Sequence, residues 1–170
     1  MSYALAALDI ALGMLTASGT FQDLVGADDA TEALAFAVKT HGGTPAQRDG
    51  SLDAAIAADG SSIDLTTPPY AIVGISDPPK ATLGGVGVWD RTGSIGVRLV
   101  LQRTLDDETP AESTDRAWDV AGDIVAELEA MIGAAGGFAD ADLDTSALYL
   151  DDDGVHRDHQ IIELTITYRG

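Results

Sequence analysis

Residues 109–133, TPAESTDRAWDVAGDIVAELEAMIG, decide the fold, because they spell out one helix with both of its ends marked. Thr109 offers a capping hydroxyl, Pro110 sits where no amide donor is needed, and Glu112 follows the cap by three residues, the spacing of a capping box. Trp118, Ala121, Val125, Leu128 and Ile132 then line one face, joined by Ile124 and Met131. Gly133 supplies the left-handed residue that ends many helices. From Pro110 to Ile132 such a helix is about 34 Å long, enough to lie across a whole sheet.

The segments on either side read as the sheet it needs. Tyr70 to Ser76 is apolar on both faces through Ala71, Ile72, Val73 and Ile75, the pattern of a strand, and Pro78 with Pro79 is expected to stop it. Val86 and Val88, then Ile95, Val97, Leu99 and Leu101, predict a hairpin turning at Asp90, Arg91, Thr92 and Gly93. Arg98 and Gln102 fall opposite the aliphatic row and leave one side wet. Beyond the helix, a Gly-Ala linker and an Asp-rich turn lead to a closing hairpin. Its limbs are Ala147 to Leu150 and His159 to Arg169, around Asp152, Asp153 and Gly154. Ile162, Leu164, Ile166 and Tyr168 should face the core, and Glu163, Thr165, Thr167 and Arg169 should face outward.

At the start of the chain, Leu5, Leu8, Leu12 and Leu15 form the stripe of a packed helix, which Ser18 and Gly19 end. Phe21, Leu24 and Val25 make a short apolar knot. Asp28, Asp29 or Thr31 then caps a second helix carrying Leu34, Phe36 and Val38, with a strand over 34–38 as the competing reading. The expected fold class is α+β: a mostly antiparallel sheet of about four to five strands flanked by helices, one long helix packed across it. Residues 1–170 fit one domain. Residues 41–69 turn to Gly, Ser, Thr, Asp and Pro, apart from an Ala-rich stretch at 52–58. They are expected to be a flexible insertion, either a surface excursion or an arm that settles on a neighbour.

Composition narrows the function. The hydrophobic fraction of 45% supports a folded core despite a formal net charge of -19. No apolar run approaches the ~20 residues of a membrane span, and Met1 to Thr20 lacks a basic leader, so neither secretion nor anchoring is expected. The absence of Cys excludes disulfide scaffolds, thiolate zinc sites and cysteine nucleophiles. With 28 acidic against 9 basic residues the surface repels phosphate backbones, which argues against a nucleic-acid binder and for protein partners. Lysine occurs only at positions 39 and 80, and the Asp-rich, Lys-poor usage resembles that of proteins from salt-accumulating, halophilic microbes. At ~1 M salt the Debye length is about 3 Å and the self-repulsion of the carboxylates is largely screened.

A search for reactive chemistry finds little. No phosphate loop, nucleophile elbow or zinc-protease helix motif occurs. Gly84, Gly85 and Gly87 lack the third glycine of a dinucleotide loop and run into Trp89 rather than a helix. Asp140, Asp142 and Asp144 match the opening of a calcium loop, with Asp151 at its twelfth position. Thr145 replaces the sharp-turn glycine, however, and a solvated acidic turn is the simpler reading. His156 and His159 fall on opposite sides of an extended segment. No catalytic, cofactor-binding or metal residue is therefore assigned, no cofactor is expected, and the chain is read as not an enzyme. The rarer basic residues carry the interface expectation. Arg91, Arg98, Arg103, Arg157 and Arg169 lie in or beside strands, where each pairs either with a carboxylate of an adjacent identical subunit or within its own chain. Trp89, near the hairpin, either anchors an interface or joins the core.

Taken together, several elements resemble the tail terminator, or tail completion, proteins of long-tailed viruses. They are the opening helix around Leu5 to Leu15, the Pro69-Tyr70 step into an apolar strand, the hairpin ending in Val97 to Leu101, the long helix after Pro110, and the final strand His159 to Tyr168. The likeness is one of elements and covers roughly 100 residues, the size of an ordinary domain. It implies a virion structural protein, assembled in the host cytoplasm and placed in the neck of the tail. It also implies a homo-oligomeric ring, typically a hexamer, that caps the tail tube and joins it to the head-tail connector protein. Identical subunits, tail tube protein and connector protein are then the partners, DNA is only passing cargo in an acidic channel, and no membrane is involved. The competing readings are another neck component, an adaptor or a stopper, and a calcium-binding interaction domain built on Asp140, Asp142, Asp144 and Asp151.

Overall fold

The structure is a computed structural model that describes residues 3–40, 54–84, 88–103, 105, 107–150 and 159–169; side chains are described for these except at 3, 54, 78–79, 83–84, 88–90 and 146–150. In chain order the elements are α1 (Tyr3–Ala17), α2 (Gly19–Val25), α3 (Ala30–Ala33), β1 (Ala37–Thr40), β2 (Ala54–Ile56), β3 (Ser62–Asp64), β4 (Tyr70–Gly84), β5 (Val88–Gln102), α4 (Pro110–Met131), β6 (Asp140–Leu150) and β7 (His159–Arg169). The fold is α+β. Five strands form one sheet in the order β1-β4-β5-β7-β6, with β1 parallel to β4 and every other pair antiparallel.

One face of the sheet is covered by helices. α1 lies over β1, β4 and β5, and α4 lies beside α1 and α2 over β6 and β7. Leu8, Leu12, Met14 and Leu15 of α1 meet Ala71, Val73, Val97 and Leu99 of the central strands, and Ile124 and Leu128 of α4 join Ile162, Leu164 and Ile166 of β7 in the same core. Burying each such aliphatic side chain stabilises the fold by roughly 1.5–3 kcal/mol, so this layer holds most of the molecule's stability.

The α4 termini follow the sequence reading. Thr109 Oγ1 accepts from the Glu112 amide at 3.3 Å while Glu112 Oε2 accepts from the Thr109 amide at 2.8 Å, a complete capping box. Gly133 adopts φ 78°, beyond the reach of most side-chain-bearing residues. The buried face is the expected one except at Trp118: Ala121, Ile124 and Leu128 are buried, and Val125, Met131 and Ile132 pack against the core partly buried. Ser113 and Ala117 also point inward, and Trp118 is 46% exposed. Each helical residue turns the chain by about 100°, so Trp118 lies one step round from the buried Ala117, on the flank.

Four further expectations are corrected. Pro78 and Pro79 do not stop β4. The strand runs on to Gly84; among the described residues β1 pairs with it only as far as Gly74, which leaves the prolines on an edge, within register shifts between Ile75 and Lys80. At an edge a missing amide donor breaks no ladder bond. The hairpin does not turn at Asp90–Gly93 either: those residues lie inside β5, with Asp90 opposite Thr82 and Thr92 opposite Lys80, and the connection falls at 85–87, outside the described residues. The expected second helix is the short α3, capped by Asp29 Oδ1, then a 3-10 turn over Leu34–Phe36, and Val38 lies in β1. The knot at Phe21 is the separate helix α2, with Ser18 as its cap and Gly26 in the left-handed conformation at its end.

Within the stretch expected to be a flexible insertion, residues 41–53 lie outside those described, and residues 54–69 form a flap on the face opposite the helices. β2 and β3 pair as a small ribbon. Ala57, Ile63 and Leu65 pack on Val38, Tyr70, Ile72, Val100 and Ile161 in a second core. Hydrogen bonds fasten it: the Ala58 amide donates to the Ala37 carbonyl at 2.7 Å, and Tyr70 Oη to the Leu65 carbonyl at 2.9 Å. His159, 1% exposed, places Nε2 3.2 Å from the Thr66 carbonyl.

Candidate interaction surface

The flap covers only one end of its face, and the strand register shows what the rest presents, since directly paired residues share a face. Past the buried row of Tyr70, Val100 and Ile161 comes Ile72, Arg98 and Glu163; then Gly74, Gly96, Thr165 and Asp144; then Ser94, Thr167 and Asp142; then Lys80, Thr92, Arg169 and Asp140. The face thus passes from apolar to polar over two steps from the Tyr70 row to the Gly74 row, about 13 Å along the strands. The two glycines are filled from beside them: a Cβ on Gly74 would lie 2.3 Å from Thr40 Oγ1, and one on Gly96 2.5 Å from Ser76 Oγ.

The arginines expected at an interface divide three ways. Arg98 donates through Nη2 at 2.6 Å and Nε at 3.1 Å to Glu163 Oε1, its direct cross-strand neighbour, with both side chains about a quarter to a third exposed. Arg169 lies 3.7 Å from both Asp140 and Asp142, all three exposed. Arg98 and Arg169 therefore occupy one polar face and are engaged inside the chain. Arg91 is exposed on the far part of β5. The backbone of Trp89 belongs to the same part, and its side chain lies outside the described residues. Arg103 is exposed just past the end of β5, at the opposite end of the sheet, where its carbonyl accepts from Ser113 Oγ. Arg157 lies outside the described residues.

Asp140, Asp142 and Asp144 do not form the expected turn. They are the exposed alternate positions of β6, with Ala141, Leu143 and Thr145 half-buried between them. A spacing of two residues is the period of a strand as well as of a calcium loop, and here the strand prevails because Ala141, Leu143 and Thr145 pair with the buried Tyr168, Ile166 and Leu164. Extended backbone spreads the carboxylates instead of converging them, and Asp151 is outside the described residues, as is His156. Among the described residues, no group of three or more His, Asp or Glu is placed to hold a metal ion. No single helix among them is long and apolar enough to cross a membrane.

Two charged clusters that sequence reasoning passed over tie the layers together. Arg116 of α4 donates to Glu108 at 2.7 Å and to the Gln102 carbonyl at 2.9 Å, fastening the start of α4 to the end of β5. The Arg116 guanidinium, and after it the Leu105 amide donating to Glu108 Oε2 at 3.0 Å, hold the Glu108 carboxyl below its ordinary range. Glu127 accepts from Ser18 Oγ at 2.5 Å, Thr20 Oγ1 at 2.6 Å and the Thr20 amide at 3.2 Å. These bonds, led by those of Ser18 and then Thr20, lower its carboxyl from the ordinary 4.5. Neither cluster had a sequence signal, because each needs one particular carboxylate out of 28.

No protein-family model matches the chain, and no curated protein matches it.

Proposed function

We propose that this chain is a ring-forming structural protein of a virion tail, a tail terminator that caps the tail tube and offers the head-tail connector a docking face. The observation that carries the reading is the sheet itself. The elements that resemble the terminator family, α1, the strand starting at Tyr70, the β4–β5 hairpin, α4 and β7, fold into one sheet with one helical layer, and the outer edges of that sheet are unpaired among the described residues. An edge strand is a natural device for joining copies. The polar outer face offers hydrogen bonds and ion pairs, the chemistry of contact. In a ring, the excess of 28 acidic over 9 basic residues gives DNA a channel wall to which it does not adhere.

Light scattering and negative-stain imaging at molar salt, with and without tail tube protein, test the reading. Hexameric rings, or rings that appear once tube protein is added, are the expected result. Monomers under both conditions overturn it. Rings that bind the connector but leave tube growth unchecked assign the chain instead to another neck component.

A further inference from the structure

His159 is a buried titratable side chain beside the second core, and it fastens the flap to β7. Its Nε2 lies 3.2 Å from the Thr66 carbonyl. A carbonyl oxygen only accepts, so Nε2 carries the proton; a second proton enters at Nδ1 and brings a positive charge with it. The ring is 1% exposed. Tyr70 of β4 meets it edge-on with ring centres 6.2 Å apart, and the buried Ile161 follows it on the same face of β7. A charged imidazole is solvated less well in such a place than in water, and water reaches it when the flap lifts.

The titratable and charged groups on the surrounding elements have contacts of their own. Asp64 of β3, exposed, accepts from the Thr66 amide and from the Thr66 and Thr67 hydroxyls. Tyr70 Oη donates to the Leu65 carbonyl, and Glu163, four residues along β7, holds Arg98. On β5, Gln102 stands opposite His159, and both it and the following Arg103 are exposed. β6 brings Tyr149 opposite Ile161, with its side chain, like residues 151–158, outside the described residues.

The flap is built to part from the sheet as a unit. Ala57, Ile63 and Leu65 are the buried side chains it lays on Val38, Tyr70, Ile72, Val100 and Ile161, and the Ala58 amide and the Leu65 carbonyl tie its backbone down. A unit that buries so few apolar groups opens at lower cost than the layer beneath α1 and α4. We infer that the flap is a lid that opens when His159 takes up a proton, baring this apolar row while the sheet and its helical layer stay folded. The closed flap favours the neutral ring, so the lid is fully held above the ordinary histidine value of about 6.5 and loosens as pH falls below it. It belongs to a single chain and opens in a monomer as in a ring.

Amide hydrogen exchange of the full chain at molar salt, corrected for the intrinsic pH dependence of exchange, reads the lid at Ala58 and the sheet at Val97 and Leu99. Between pH 7 and 5.5 exposed carboxylates stay ionised, and one proton permits at most about a tenfold rise in opening per pH unit. Protection of Ala58 is expected to fall about tenfold over that range, with Val97 and Leu99 unchanged. His159→Gln keeps an amide donor and takes up no proton, so its Ala58 protection should stay level; His159→Phe lacks the donor and should leave Ala58 weakly protected at every pH. Replacing both His41 and His156 by Gln should preserve the acid response. Level protection in the wild type, an acid response that survives in His159→Gln or vanishes with His41 and His156, or loss of protection at Ala58, Val97 and Leu99 together overturns the lid.

Discussion

Glu127 shows how much one carboxylate can hold. It reaches from α4 to the first turn of α2 and takes hydrogen bonds from the side chain that caps that helix and from the backbone two residues on. Bonds to a charged acceptor stabilise by about 1.5–3 kcal/mol, so Glu127→Gln is expected to cost about 1–2 kcal/mol in denaturant melts at neutral pH. The pH dependence has a definite sign. The folded-state pKa lies below the ordinary 4.5, so the contribution is complete above that value and is lost as pH falls through the lower, folded value. The stability gap between wild type and Glu127→Gln should therefore close below pH 4.5; a gap unchanged by acid would mean that the charge is not what matters. Arg98 tests the interface expectation at the same scale. Because its guanidinium is spent on Glu163 of its own chain, Arg98→Met should lower monomer stability by about 1 kcal/mol and leave assembly intact. Loss of assembly with unchanged stability would assign Arg98 to a neighbouring copy. That the arginines lie in strands was legible in the sequence. Their partners were not, since a partner depends on register, and register depends on where the hairpin turns.

Among the elements, α4 was the most legible, because its ends are chemical signals rather than patterns: a hydroxyl, a proline, a carboxylate three residues on, and a glycine. Its face was less so. Apolar residues occur at both Ala117 and Trp118, and only the packed structure shows that the smaller one is buried. Leu128, fully buried, is the stringent test: Leu128→Asp should cost about 3 kcal/mol or more by burying an unpaired charge, whereas Trp118→Ala should cost about 1 kcal/mol or less. Equal losses in chemical denaturation would contradict the observed orientation. β4 was misjudged for a related reason. Proline reads as a strand stop when every strand is imagined inside a sheet, and here the strand continues past Pro78 and Pro79 where, among the described residues, β1 no longer pairs with it. The aspartates of β6 had the same difficulty: a two-residue spacing cannot separate a ligand loop from a strand edge without knowledge of what Ala141 and Leu143 pack against.

The whole molecule is a sheet between a helical layer and a partial flap, with charge spread over all of it. The class was legible because each main element announces its own period. The flap was not, because its contribution is a few residues, Ala57, Ile63 and Leu65, in a stretch whose composition reads as loop. The charge makes a prediction that no local contact can. With a net charge of -19 distributed over a 17.5 kDa chain, self-repulsion destabilises the compact state at low ionic strength, and screening should relieve it. The Debye length falls from about 10 Å at 0.1 M to about 3 Å at 1 M, so nearly all of that relief is available by about 1 M salt. The thermal midpoint in potassium chloride should therefore climb steeply up to that concentration and then flatten. A midpoint that stays level across the whole range would show that the carboxylates are far enough apart to ignore one another. One that goes on climbing well past 1 M would show that salt acts instead by strengthening apolar burial, as excluded salts do, and the acidity would then need a different cause.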